Sequence, residues 1–592
     1  MTIGSLIDFA DPHDAAGARL RHAFGAPRTV WAAHALHEVR AVLDAAEAAA
    51  RGGAWVLGWL RYEAAPAFDP ALAVQAGDPA LPLAWFAAHD APLPWPTAAT
   101  AADDARIDWH TQPERAAFDA ALAHIQDGIA RGTYYQVNHT ARLRGRWSGT
   151  AQALFAALQR AQGGGYAAWI DGAAAGQVLS VSPELFFDWQ AGPQGSGPIL
   201  TRPMKGTAAR GATPQDDAAQ AAHLRNSPKE RAENVMIVDL LRNDLSRIAQ
   251  PHSVRVPRLF HTEALPTVWQ MTSDVAATTR TGTRLQDVFA ALFPCGSVTG
   301  APKVQAMRTI AQLEDGPRGV YCGAVGLLRP AAGGGLHATF NVPIRTVELQ
   351  GSEARCGIGS GIVWGADANA EWREWAAKRA FVERASEPFD LLETLRLEDG
   401  AYRHLPEHLA RMEQAAAHFG VPWDGAAVHQ CLQALAGSHP QGAWRTRLLL
   451  GAAGTPRAEA FALAPTPEPV LLRLAQRPLA QAHGEFVRHK TTRRAHYAAF
   501  APKEPGVFDT VLWNEEGEIT ESTFGNIAML LDGRWVTPPL ACGLLPGVGR
   551  AVALRDGRVI EAVVRLQDLP RVQGWAFINS LRGWLDAELI QH

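Results

Sequence analysis

The feature that most limits the possible folds is a break well past the middle of the chain. Up to that point strand-like and helical stretches alternate in long irregular order, ending in a helical run that begins ANAEWREWAAKRAF at Ala368. SEPFD, Ser386 to Asp390, stops this run, and FDLLETLRL then opens a new strand. Proline and aspartate clusters punctuate elements and do not continue them. The break predicts an α+β protein of two units, 1–385 and 386–592, each within the size range of a single domain. No internal repeat or low-complexity tail interrupts either unit.

Hydrophobic residues make up 47% of the 592, enough for a substantial core. The net charge, 55 − 59 = −4, comes without any basic block, which argues against nucleic acid and anionic membrane as partners. MTIGSLIDFADPHD lacks the basic and apolar regions of a signal peptide, and no run approaches the roughly 18 apolar residues of a membrane span. These features predict a cytoplasmic location and small ligands. The five cysteines have no metal-ligand spacing and read as buried thiols. APLPWPTAATAADD, from Ala91 to Asp104, reads as a loop; QAGPQGSGP from Gln190 and AAGGG from Ala331 read as hairpin tips.

Lysine is rare. Of 55 basic residues only six are lysine (Lys205, Lys229, Lys303, Lys378, Lys490 and Lys503), so a lysine in TRPMKGTAAR, from Thr201 to Arg210, needs a reason. Arginine stays charged, whereas lysine can become a neutral amine when desolvated.

Carboxylates stand out next. SPKERAENVMIVDLLRNDL begins as a helix should, with Ser227 as N-cap and Pro228 at the first position, and Glu230 fits a capping box. Glu233 instead shares a face with Met236, Ile237 and Leu240, where a carboxylate needs a partner or a metal. The helix from Ala368 adds Glu371 and Glu374 beside Trp372 and Trp375. Taken alone, such pairs are better explained as surface salt bridges. Two helices could also hold one Mg²⁺, which needs only one or two protein carboxylates plus water and an anionic ligand. VSPELFF around Glu184, FPCGSVTGAPK from Phe293, NVPIRTVEL around Arg345 and CGIGSGIV from Cys356 supply Gly-rich turns and a strand arginine suited to carboxylates.

From about Phe118 to Ala385 these motifs, in this order, resemble the chorismate-utilising enzymes. The resemblance implies a two-sheet α/β sandwich that binds chorismate with Mg²⁺ in a cleft. By motif, Glu233 and Glu374 would be metal ligands, with Glu230 and Glu371 supporting through water. Thr299, Gly300, Arg345 and the turn Gly359, Ser360, Gly361 would hold carboxylates, and Tyr321 would line the site. Gln136 stands where isochorismate-forming members carry a water-activating lysine. PMKGT stands where anthranilate synthases read Pro-Ile-Ala-Gly-Thr, and so resembles the aminodeoxychorismate synthases. There Lys205 would attack C2 of chorismate and Glu184 would protonate the departing C4 hydroxyl; the alternative is a lysine that only anchors a carboxylate. Gln270 replaces a histidine found near the substrate in many members and can act only by hydrogen bonds.

In the second unit HLPEHLARM gives a helix with Arg411 near its end, and EFVRHKTTRR places Lys490 after a strand-like run. GEITESTFGNIAML puts Glu521 on a turn, and GLLPGVGR offers a phosphate nest at Val548 and Gly549. A lysine, a phosphate cradle, an arginine and a carboxylate are what pyridoxal 5'-phosphate asks of a protein. The set resembles the fold-type IV pyridoxal-phosphate enzymes. By that resemblance Lys490 would hold the cofactor, Glu521 would face the pyridine nitrogen, Arg411, Val548 and Gly549 would bind phosphate, and Asn526 and Ser580 would border the site. These motifs do not separate transaminases from 4-amino-4-deoxychorismate lyases. Fusion to a chorismate-type unit favours the lyase, as do HKTTRRAHY and FINSLRGW. The combined expectation is 4-aminobenzoate synthesis, with ammonia from a separate glutamine amidotransferase subunit because no G-x-C-x-G turn occurs. A homodimer through the second unit follows from resemblance alone. The rivals are an anthranilate synthase-like unit fused to a transaminase, and a ligand-sensing module without turnover.

Overall fold

The computed structural model describes residues 3–14, 17–96, 105–209, 214–264 and 268–590. Residues 97–104 of the expected Ala91–Asp104 loop, and Arg210 of the TRPMKGTAAR stretch, lie outside them. The chain forms two compact units, Met1–Pro388 and Phe389–His592.

Among the described residues, the first unit contains a nine-stranded and a ten-stranded sheet, with every strand pair antiparallel. Alternating apolar residues seal their inner faces: Ile7, Phe9, Val178, Leu57, Trp59, Trp85 and Val325 form one buried cluster. Trp59 and Trp85 stack with ring centroids 4.4 Å apart. Helices Leu36–Arg51, Pro228–Ser246 and Leu285–Leu292 pack on the outer face of the ten-stranded sheet. Helices Ala151–Gln162 and Ala368–Ala385 cover the other sheet. The expected hairpin tips at 190–198 and 331–335 join adjacent antiparallel strands.

In the second unit a four-stranded antiparallel sheet carries helices Leu405–Phe419 and Gly425–Ser438. An eight-stranded sheet is mixed: Val470–Leu474 runs parallel to both Val507–Trp513 and Gly583–Ile590. No described helix is long and apolar enough to cross a membrane. All five cysteines are free, and all are buried except Cys431, which is half-buried.

Several local expectations need correction. Gly359, Ser360 and Gly361 do not form a turn; they lie inside the strand Glu353–Val363, paired along its length with Gln136–Ser148. Arg345 is not a strand residue: Pro343 ends the preceding extension, and Arg345 occupies a bend with φ +52° just before Thr346–Gln350. Arg411 is mid-helix, because good helix formers carry the helix on to Phe419, where Gly420 caps it with φ +66°. Lys490 follows a helical turn, Glu485–Arg488, and not a strand. Glu521 sits within the strand Ile519–Ser522, and the turn comes after it.

Candidate active sites

Lys205 lies on the edge strand Met204–Ala209 of the ten-stranded sheet and reaches across to Gly361 of the nine-stranded sheet. A Cβ on Gly361 would stand 2.8 Å from Lys205 Nζ and 1.9 Å from Gln136 Nε2, so glycine is what lets the two side chains share this spot. Gln136 is fully buried, and neither of its amide atoms has a hydrogen-bond partner among the described residues. Buried orphan polar atoms are rare and ask for a reason such as a ligand. The next residue, Gly206 (φ +98°), leaves room for Glu230 Oε2, 2.9 Å from where a Cβ would be. Gln270 braces the same segment: it donates to the Gly206 carbonyl at 2.8 Å and accepts from Thr207 Oγ1 at 3.1 Å.

Glu184 is 3% exposed and has one carboxylate oxygen without a partner. Burial pushes its carboxyl up to about 7, although Ser297, Lys205, the Met204 amide and Lys378 favour the charged form. Ser297 belongs to a short 3-10 turn held by packing: Leu240 of the Glu233 helix fills the space a Gly296 side chain would need. Thr299 builds this turn, donating to the Cys295 carbonyl at 3.1 Å and accepting from the Asn138 amide at 2.8 Å. Gly300, at φ +140°, passes 2.2 Å (as a Cβ) from the Gln136 carbonyl. The Arg345 side chain has no hydrogen bond or ion pair among the described residues, and burial alone pushes its guanidinium down to about 10.

Glu230 and Glu233 come from one helix, Glu371 and Glu374 from another. Burial raises the carboxyls of Glu230, Glu233 and Glu371, and their mutual repulsion and that of Glu374 add to it. Burial acts on Glu374 too, but Lys378, 2.7 Å away, holds it below the usual range. Among the described residues no three His, Cys, Asp or Glu side chains form a closed metal cage. Carboxylates that repel one another nonetheless fit Mg²⁺, which keeps water and substrate oxygens in its shell. Ser360 points away from Gly359 and Gly361, as strand alternation requires, and donates to Glu371 Oε2 at 2.6 Å. Tyr321 packs on Gly357, two residues further along the strand from Gly359. Ser297 and Lys378 were not singled out from sequence. Lys378, which donates to the Gly359 carbonyl at 2.9 Å, was visible as one of the six lysines; Ser297 had no signal apart from its motif.

In the second unit Lys490 is packed among protein atoms that push its amine down to about 7, with Arg494 and Arg411 adding to burial while Glu393 and Glu521 oppose it. Glu521 is 2% exposed and pushed up to about 7 by burial. Tyr497 Oη donates to it at 2.6 Å and the Leu545 amide at 3.1 Å. Arg411 grips Glu393 through two nitrogens at 2.8 and 2.6 Å and donates to the Pro546 carbonyl at 3.0 Å. His408, fully buried, lies 2.7 Å from the same carboxylate. Asn526 donates to the Leu545 carbonyl at 3.1 Å. Val548 and Gly549 open the helix Val548–Arg555, whose first amides lack intrahelical partners. Gly549 lets the Asn579–Ser580 backbone approach: a Cβ there would stand 2.9 Å from the Ser580 nitrogen. An anchored arginine, open helix amides and close glycine packing fit a phosphate, and the Lys490 and Glu521 pair fits a pyridine aldehyde beside it.

Residues 88–384 match the family model for chorismate binding enzyme. The chain belongs to the chorismate binding enzymes. Residues 390–590 of this chorismate binding enzyme match amino-transferase class IV. An aminodeoxychorismate synthase component 1 from Klebsiella aerogenes is 39% identical over 297 residues, 50% of this chain and 62% of that one. An anthranilate synthase component 1 from Aquifex aeolicus (strain VF5) is 33% identical over 280 residues, 47% and 55% respectively. The chain therefore spans less than two thirds of either relative. The crystal structure of anthranilate synthase component I from Streptococcus pneumoniae TIGR4 shares the fold, with a TM-score of 0.50 at 21% identity over 64% of this chain and 91% of that one.

Proposed function

We propose that this chorismate binding enzyme makes 4-aminobenzoate in two steps: amination of chorismate at C4 in the first unit, then loss of pyruvate in the second. The observation that carries the reading is Lys205, whose amine stands over Gly361 beside the unpartnered Gln136. Glutamine cannot activate water as a base, so hydroxylation at C2 lacks its agent. A free amine at Lys205 attacks C2, the ring double bonds shift, and the C4–O bond breaks as Glu184 donates a proton to the leaving hydroxyl. Ammonia then attacks C4, the double bonds shift back, and Lys205 leaves as an amine. Arg345 holds a substrate carboxylate with its unpaired guanidinium.

Glu233 and Glu374 would hold Mg²⁺, with Glu230 and Glu371 supporting it. When bound, the ion would offset the carboxylate charge of the substrate and of the four glutamates. Ammonia would come from a separate glutamine amidotransferase subunit, as the designation component 1 of the relatives suggests.

In the second unit Lys490 would hold pyridoxal 5'-phosphate, with Arg411, Val548 and Gly549 on its phosphate. When bound, this group supplies an electron sink for the substrate carbon next to nitrogen. Lys490, whose amine is pushed down to about 7, moves the proton at that carbon. Glu521 holds the proton at the pyridine nitrogen, and the Tyr497 and Leu545 donors keep its carboxylate in place. Loss of pyruvate then leaves an aromatic ring.

Incubation of the pure chain with chorismate, Mg²⁺, pyridoxal phosphate and ammonium tests the reading. 4-Aminobenzoate is the expected product; anthranilate as the main product overturns it. Lys205→Ala should lower ammonium-dependent chorismate consumption by on the order of 10³-fold or more, as removal of a nucleophile does. Full activity in that variant would rule out the covalent step.

A further inference from the structure

A second polar cavity, of about 190 Å³, lies against the nine-stranded sheet toward the other end of the strand Glu353–Val363. Of the residues expected around the chorismate cleft only Tyr321 lines it; Lys205, Gln136, Glu184, Arg345 and the four glutamates do not. Strand register sets Arg355 opposite Arg144 and Gly357 opposite Arg142. Alternation puts Arg355 and Gly357 on the same face as Gly361, with Gly357 four residues, or roughly 13 Å, away from it.

Like charges directly opposite on paired strands repel. Glu348, opposite Arg355 on its other neighbouring strand, offsets part of that repulsion, but each acid at this cavity is also engaged elsewhere. Glu348 pairs with Arg61 at 3.0 Å and accepts from the Val320 amide at 2.9 Å. Glu63 takes the backbone amides of Arg318 and Gly319, and exposed Asp78 takes that of Ala80. Arg142 donates to the Gly316 carbonyl at 3.0 Å, and burial lowers its guanidinium despite the pull of Glu314, Glu63 and Glu348. Arg355 Nε is buried with no hydrogen-bond partner among the described residues, while another of its nitrogens donates to Glu353 at 3.5 Å. The Arg144 side chain makes no hydrogen bond or ion pair among the described residues. The remaining wall is largely apolar: the Tyr321 ring with Leu81, Leu83 and Pro317.

Guanidinium forks match carboxylate oxygens in pairs, and an aromatic and aliphatic wall matches a ring. We propose that this cavity binds a small aromatic carboxylate at a place separate from the Lys205 cleft. The carboxylate would sit between Arg144 and Arg355 above Arg142, with its ring against Tyr321 and Leu83.

Calorimetric titration of the full chain with benzoate tests this without any turnover. Arg345→Gln removes the cation proposed for the cleft, so benzoate binding should persist in that variant. Adding Arg144→Gln and Arg355→Gln should then weaken it by about tenfold or more, the scale of one lost charge-assisted hydrogen bond. Should the glutamine pair unfold the chain, Arg144→Lys with Arg355→Lys decides the matter, since charge stays while the fork goes, and binding should still fall several-fold. Absence of benzoate binding in the Arg345→Gln chain overturns the proposal. So does binding indifferent to the arginine pair, or displacement of benzoate by inorganic phosphate at equal affinity. None of these results touches the assignment of the Lys205 chemistry.

Discussion

Glu184 and Lys205 illustrate how single side chains were legible. Lys205 stood out because lysine is scarce, and its place over Gly361 beside Gln136 adds geometry that composition cannot contain. Glu184 was visible only through its motif; its burial and its carboxyl near 7 come from packing between distant segments. The raised value has a direction. A proton donor works in its protonated form, so Glu184 should give the first reaction a descending limb as pH rises through about 7. Rates of chorismate consumption with saturating ammonia across pH 6 to 9 check it. Glu184→Gln should lower the rate by roughly 10²- to 10⁴-fold, the usual contribution of such an acid, and remove this limb of the profile. Ser297 and Lys378 escaped notice because their roles are defined by partners on other elements.

At the scale of elements, helix signals read well and irregular backbone read poorly. The Glu233 helix starts at Pro228 with Ser227 accepting from the Glu230 amide at 3.4 Å, as its cap residues dictate. Glu230, expected to close a capping box, instead faces Gly206. The errors at CGIGSGIV and NVPIRTVEL share one cause: glycine-rich and proline-containing stretches have little local preference, so tertiary pairing decides them. CGIGSGIV looks like a turn and is a strand because Gln136–Ser148 pairs with all of it. A substitution tests what that strand does. Gly361→Ala places a methyl group 1.9 Å from Gln136 Nε2 and 2.8 Å from Lys205 Nζ, both ends of flexible side chains. The fold should survive, with a melting temperature near that of the parent. The first reaction should fall by about 10²-fold, as a displacement of roughly 1 Å at a reacting group does.

For the whole molecule, the two sets of chemical groups lie in two compact units with separate cores. The proposed cofactors differ in kind, which makes the activities separable. A chelator should abolish consumption of chorismate while leaving turnover of supplied 4-amino-4-deoxychorismate within about twofold. Lys490→Ala should do the reverse, with the amino intermediate accumulating in place of 4-aminobenzoate. Product chromatography on both samples distinguishes these outcomes, and loss of both activities in either one would contradict the division of labour.

Gly359 and Gly361, two positions apart on Glu353–Val363, leave the cleft with a floor of backbone without side chains. Most of that floor has no polar group to offer, because its amides and carbonyls are spent on the neighbouring strand, and the Gly359 carbonyl is further taken by Lys378. Such a surface gives shape but no instruction. On the proposed reading, the choice among reactions on one ring-shaped substrate therefore falls to the rim residues Gln136, Lys205 and Glu184. Exchanging one of them should then change the chemistry without disturbing the foundation beneath it.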